Sequence, residues 1–208
     1  MSTGAVLDPR VLRRTVLVVA GLNLAYFVVE VSVALSIGSV SLLADSVDFL
    51  EDTAINLLIA LALGWPLARR AVAGHAMALI ILVPALVAAW SAVAKAFHPT
   101  APDVTALLVT AGGAAAVNAA CAVLLVRVRH QGGSLSGAAY LSARSDVAVN
   151  VAIIAMALVT SWTRSGWPDI VLGAVIVVVN TTAAWEVWRL AGEERLAARA
   201  LAGEDLDD

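Results

Sequence analysis

The sequence predicts an all-α integral membrane protein with six transmembrane helices and both termini in the cytoplasm. Three observations predict it. Of 208 residues, 61% are apolar and only 14% charged, with mean hydropathy +0.91. A soluble domain carries ~25% charge and ~45–50% apolar residues. Charge-free stretches long enough to cross a bilayer recur along the chain, and each crossing takes ~20 mostly apolar residues. The basic residues fall almost entirely on one side of the resulting topology, as the positive-inside rule requires.

The helices are read off in order, at roughly 14–36, 40–64, 71–96, 104–127, 138–162 and 168–190. The first is charge-free over 15–29, then meets Glu30 within an apolar run that reaches Ile37. Gly38-Ser39 separates it from the second, which opens on an acidic stretch and becomes charge-free at 53–68. Trp65-Pro66 with Arg69-Arg70 closes the second helix, and 71–94 carries the third. His98-Pro99-Thr100-Ala101-Pro102 ends the third, because proline has no N–H to donate and resists helix continuation. The fourth covers the uncharged 104–126, rich in Gly and Ala around 111–117, where small side chains let helices approach closely. Gln131-Gly132-Gly133-Ser134 turns into the fifth, and Gly166-Trp167-Pro168 opens the sixth.

With six crossings, Arg10, Arg13, Arg14, Arg69, Arg70, Arg127, Arg129, Arg189, Arg195 and Arg199 share one side. Only Lys95 and Arg164 take the other, and Arg144 lies within the fifth helix. The crowded side is therefore the cytoplasm. Residues 1–13 form a cytoplasmic N-terminus, 14–191 the six-helix domain, and 192–208 a short acidic cytoplasmic tail. The first apolar run is too long for the core of a cleaved signal. Trp90, Trp162, Trp167, Trp185 and Trp188 suit the membrane interface, as do His75 and His98. Twelve of the thirteen basic residues are arginine, which together with the Ala and Val content points to a GC-rich bacterial genome and an inner (plasma) membrane.

Several classes are excluded. One cysteine, Cys121, makes no disulfide framework. A net charge of −3 without a basic run leaves no footprint for nucleic acid. No nucleophile–base pair, His-Glu zinc-protease pattern or Gly-rich phosphate loop marks an enzyme.

The acidic residues inside the helices carry the chemistry. An ionised carboxylate at the bilayer centre costs ~2.5–3.5 kcal/mol on insertion scales, so residues there are functional candidates. The first helix holds Glu30, the second Asp45, Asp48, Glu51 and Asp52, and the fifth Asp146. At ~100° per residue, Asp45, Asp48 and Asp52 lie within about 60° of one another. Glu51 points further round, toward a water cavity or another subunit. Asn23, Phe27 and Glu30 form a stripe on the first helix, and Ser142, Asp146 and Asn150 follow at i, i+4, i+8 on the fifth. The antiparallel second and fifth helices can present Asp48, Asp52 and Asp146 to one point near mid-membrane. Three carboxylates in a low-dielectric site must be neutralised by protons or by a cation, and a divalent cation would displace the protons. Oxygen ligands favour hard cations such as Mg²⁺ and Mn²⁺, and admit Fe²⁺, Co²⁺ and Zn²⁺.

These residues resemble the cation diffusion facilitator (cation efflux) family. The match runs through Asn23-x-x-x-Phe27-x-x-Glu30, then Gly38-Ser39-Val40-Ser41-Leu42-Leu43-Ala44-Asp45, then Asp48-x-x-x-Asp52. Segments 90–102, 140–155 and 168–190 are similar to the family's third, fifth and sixth helices. The resemblance implies a divalent metal transporter, a proton-coupled antiporter exporting metal from the cytoplasm, in a short form without the C-terminal cytoplasmic domain. It implies a metal site of Asp48 and Asp52 with the i, i+4 pair of the fifth helix, Ser142 and Asp146. Family zinc transporters carry His or Asp where Ser142 stands, so Asn150, Asp45 or water is expected to complete the shell. Asn23 and Glu30 belong to a proton path or to the surroundings of the ligands. No bound cofactor is expected, and the metal (Mn, Fe, Co or Zn) is substrate. Protons, the lipid bilayer and a second copy of the chain in a homodimer are the other partners. A competing reading is a membrane protein that keeps the fold for a structural or assembly role without transport.

Overall fold

The computed structural model describes residues 9–62, 65–128 and 133–202. They form six helices in chain order: α1 (Pro9–Ile37), α2 (Val40–Ala62), α3 (Leu67–Phe97), α4 (Val104–Val126), α5 (Gly133–Thr163) and α6 (Trp167–Ala202). No strand occurs among the described residues, and the protein is an all-α membrane protein. Arg10–Ile37, Val104–Val126 and Ala143–Thr163 are each long and apolar enough to cross a membrane. Helix α2 has the length, but its four carboxylates interrupt the apolar stretch. Shorter apolar segments occupy Ala85–Phe97 and Trp167–Thr182.

The helices run beyond the apolar cores read from the sequence, most of all α6. It continues to Ala202 through the segment read as a tail. Residues 191–202 are mostly Ala, Leu, Arg and Glu, strong helix formers that need no bilayer to stay helical. His130 and residues 203–208 lie outside the described residues, as does the side chain of Ser142.

Local chemistry sets the turns. Gly38, at φ +63°, stands just past the end of α1, and the Ser39 N–H bonds back to the Ala34 carbonyl at 3.0 Å. This is the left-handed cap that only glycine adopts cheaply. Ser39 Oγ then accepts from Leu42 N at 3.2 Å, capping α2. Asp103 caps α4 through Ala106 N at 2.7 Å. The α5–α6 connection packs on the α3–α4 connection: a Cβ on Gly166 would stand 2.5 Å from the Thr100 carbonyl oxygen.

Helix α2 is the hub, packing on α1, α3, α5 and α6. Helices α1 with α4, α4 with α5, α5 with α6 and α3 with α6 complete the bundle. The interior is layered. One apolar cluster gathers Ala34, Leu42, Leu43, Leu107, Ile153 and Ile176, and a second gathers Val16, Val19, Ile59, Cys121, Leu125 and Ala143. Along every helix they share, the stretch between the two clusters holds the buried polar groups: Asn23 and Glu30 on α1, Asp45, Asp52 and Asn56 on α2, Asn118 on α4, and Asp146 and Asn150 on α5. The outside is the reverse. Trp90, Phe97, Val109, Trp162, Val178 and Trp185 are exposed, the pattern expected when lipid rather than water surrounds a bundle.

Candidate functional site

Four carboxylates on two turns of one helix cannot all face the same way. In the structure they fan across one side of α2, Glu51 and Asp48 at the cavity end of the arc and Asp52 and Asp45 at the end that meets α1. Asp48 and Glu51, both partly buried, line a cavity of about 540 Å³ bounded by α2, α5 and α6. Asp146, 8% exposed, enters it from α5, and Asn180 enters from α6. Much of the remaining wall is apolar, including Val149, Ala152, Leu172 and Ile176.

Asp45 and Asp52 turn toward α1. Asn23 Nδ2 donates to Asp52 Oδ2 at 3.4 Å, and Cys121 Sγ points at Asn23 Oδ1 at 3.8 Å. Asn56 Nδ2 donates to the Asp52 backbone carbonyl at 2.8 Å. Further along, Glu30 and Asp45 are fully buried with their carboxyl groups facing each other. None of their four oxygens meets a donor among the described residues. Two facing carboxylates only accept, so such a pair is held together when one group carries a proton.

Of the residues singled out from the sequence, the cavity therefore unites Asp48 and Asp146. Asp52 is not on its lining, although it sits one turn from Asp48 on the same helix. Asn150 is fully buried on α5, beside Asp45, with Nδ2 donating to the Asp146 carbonyl at 2.8 Å and Oδ1 unpartnered. Among the described residues, no three His, Cys, Asp or Glu side chains converge closely enough to hold an ion as they stand.

Sequence reasoning passed over two features. Asn180 gave no signal, being one polar residue in an apolar helix. The second is a clasp across the α1–α2 turn. Asp169, fully buried at the start of α6, accepts from Ser39 Oγ at 2.7 Å, Val40 N at 2.8 Å, Ser41 N at 3.1 Å and Ser41 Oγ at 2.6 Å. Lys95 Nζ of α3 pairs with it at 2.9 Å and also donates to the Gly38 carbonyl. The carboxylate thus caps α2 from another helix, where the helix dipole favours negative charge. The signal available was Lys95, one of only two cations on its side of the predicted topology.

Compared with known families, the chain matches the model of the cation efflux transmembrane domain over residues 16–193. No curated protein matches it.

Proposed function

The chain belongs to the cation efflux family, and from that premise we propose that it exports a divalent metal from the cytoplasm in exchange for protons. The coarser statement is secure: this is a multi-pass membrane protein and a cation transporter of the cation diffusion facilitator type, a family of transporters rather than enzymes. The finer reading rests on one observation. Carboxylates from α2 and α5, Asp48 and Asp146, line a common cavity within the polar layer of the bundle.

In this reading all six helices cross the bilayer, with both termini in the cytoplasm of a bacterial cell. The metal binds Asp48 and Asp146, with Asp52 drawn in from the adjoining turn and Asp45, Ser142, Asn150 or water available beside them. An empty site keeps fewer charges by holding protons, and the arriving metal releases them. Asn23 orients Asp52. Glu30, beside Asp45, supplies a proton site at the α1 end of the same acidic stripe. Alternating access then follows from movement of helices around a midplane site.

The test is metal flux in proteoliposomes with an imposed proton gradient, comparing Mn²⁺, Fe²⁺, Co²⁺ and Zn²⁺. Flux with accompanying proton movement, lost in Asp48→Ala, is the expected result. A second reading is a fold retained without transport, and the absence of three converging ligands among the described residues favours it. It predicts no flux of any of the four ions from well-inserted protein.

A further inference from the structure

We propose that the N-terminal end of α1 binds the phosphate of an anionic phospholipid, held by Arg13 and Arg14 with Arg10 beside them. The inference is independent of the metal reading and needs only that α1 crosses the bilayer.

Three observations carry it. The first is a hollow. Arg10, Arg13, Arg14, Leu17 and Val18 line a concavity of about 440 Å³, within the ~300–1,000 Å³ of small-ligand pockets. Their spacing, i, i+3, i+4, i+7 and i+8, puts all five on one side of the helix. Leu12, Val16 and Val19, on the other side, are buried in the bundle. The periodicity that docks α1 therefore also turns its arginines outward.

The second is charge. Arg13 and Arg14 are exposed, and among the described residues neither pairs with a carboxylate. Two adjacent guanidiniums, with a third one turn earlier, attract an anion. The planar fork of each guanidinium matches phosphate oxygens in a way that a point charge does not.

The third is depth. Leu17, Val18, Leu24, Val28 and Leu35 are exposed along α1, whereas Glu30 is buried, so the outward face is apolar beyond the arginines. From Arg13 to Leu35 the helix rises about 33 Å at ~1.5 Å per residue, close to the ~30 Å of a hydrocarbon core. When that face spans the core, the guanidiniums reach headgroup level, where lipid phosphates lie. The mixed lining then fits a phospholipid better than a free anion. The arginines meet the phosphate, and Leu17 and Val18 meet the glycerol and the first acyl carbons. A free phosphate would leave the apolar floor uncovered.

The experiment counts lipids retained by the full-length chain. Protein in micelles holding equal parts of phosphatidylglycerol and phosphatidylcholine is measured by native mass spectrometry, with monodispersity on size exclusion as the check on folding. The wild type should retain phosphatidylglycerol in preference. Arg13→Gln with Arg14→Gln should lower that preference about 30-fold, at roughly fivefold per arginine. Arg13→Lys with Arg14→Lys keeps the charge, and with it the insertion topology, but lacks the fork, and should lower the preference several-fold. Arg69→Gln with Arg127→Gln removes as much charge from the same side of the predicted topology and should change it less than about twofold. Excess inorganic phosphate should displace no more lipid than chloride at matched ionic strength. Equal loss in the two glutamine pairs, or no loss in the lysine pair, would reduce the arginines to diffuse surface charge and overturn the proposal. Displacement by phosphate but not by chloride would make this a site for a free anion and overturn the lipid assignment. A wild type that retains both lipids equally would overturn the proposal outright.

Discussion

The clasp around Asp169 gives a stability prediction in which the two halves of one ion pair are unequal. Asp169→Ala and Lys95→Met each break the 2.9 Å contact. Breaking a buried pair costs ~3–5 kcal/mol when the surviving charge is left uncompensated. Here the survivors differ. After Asp169→Ala, the Val40 and Ser41 N–H groups and the Ser41 hydroxyl at the buried start of α2 all lose their acceptor. Each unsatisfied buried donor is worth ~1–3 kcal/mol. The Lys95 ammonium, 10% exposed, keeps only the Gly38 carbonyl. A loss of at least about 4 kcal/mol is expected. After Lys95→Met, the carboxylate keeps four hydrogen bonds and the positive end of α2, so the loss should be about 1–2 kcal/mol. Asp169→Asn should fall between, retaining shape but not charge. Unfolding in mixed micelles, followed by circular dichroism, measures the order. A Lys95→Met loss equal to or larger than that of Asp169→Ala would refute the argument, because it would mean that the lysine, not the helix cap, holds this end of the bundle.

Two further predictions address packing and the Asp52 face. Asn23→Ala removes a side-chain donor to Asp52 Oδ2 and should reduce metal flux several-fold without affecting insertion, measured in the same liposome assay; full activity would detach Asn23 from the site. At Gly173 an added Cβ would lie 2.6 Å from Val40 Cγ1 and 2.8 Å from Ser41 N. Backbone atoms cannot swing aside, so Gly173→Ala should destabilise the protein by about 1–3 kcal/mol; an unchanged unfolding midpoint would show that α6 can move away from α2 freely.

The helices were legible because their boundaries are chemical. Pro99 and Pro102 and Gly38 end apolar runs in ways no tertiary context reverses, whereas Arg13-Arg14 and Arg69-Arg70 lie inside α1 and α3. Their ends were less legible: the Ala-Arg-Glu segment after Trp188 satisfies helix propensity whether or not lipid surrounds it. The acidic groups were legible as a set, but their division was not. Angular spacing placed Asp45, Asp48 and Asp52 on a common stripe, and on α2 they do share one. Which part of that stripe meets a cavity depends on which helices lie beside it. With α5 and α6 on the Asp48 side, Glu51 joins the cavity while Asp45 and Asp52 turn to α1. Neither Asn180 nor the pairing of Lys95 with Asp169, 74 residues apart, leaves a local pattern to read.

That arrangement also bears on the proposal that α2 crosses the membrane. The helix has eleven Val, Leu, Ile and Phe residues and four carboxylates. On insertion scales each such apolar residue contributes ~0.3–0.6 kcal/mol, against ~2.5–3.5 for a charged carboxylate at the centre. The eleven therefore offset about two charged groups, not four. The shortfall has to be met by neutralisation and by cover from other helices. The cover is visible: Asp45 is buried beside Glu30 of α1, and Asp52 is covered by α1 with an amide donor from Asn23. Asp48 and Glu51 are left to line the cavity. The cover that α1 gives Asp45 and Asp52, and the cavity left to Asp48 and Glu51, thus answer to one constraint, the limited number of charges that a single apolar helix can carry into a bilayer.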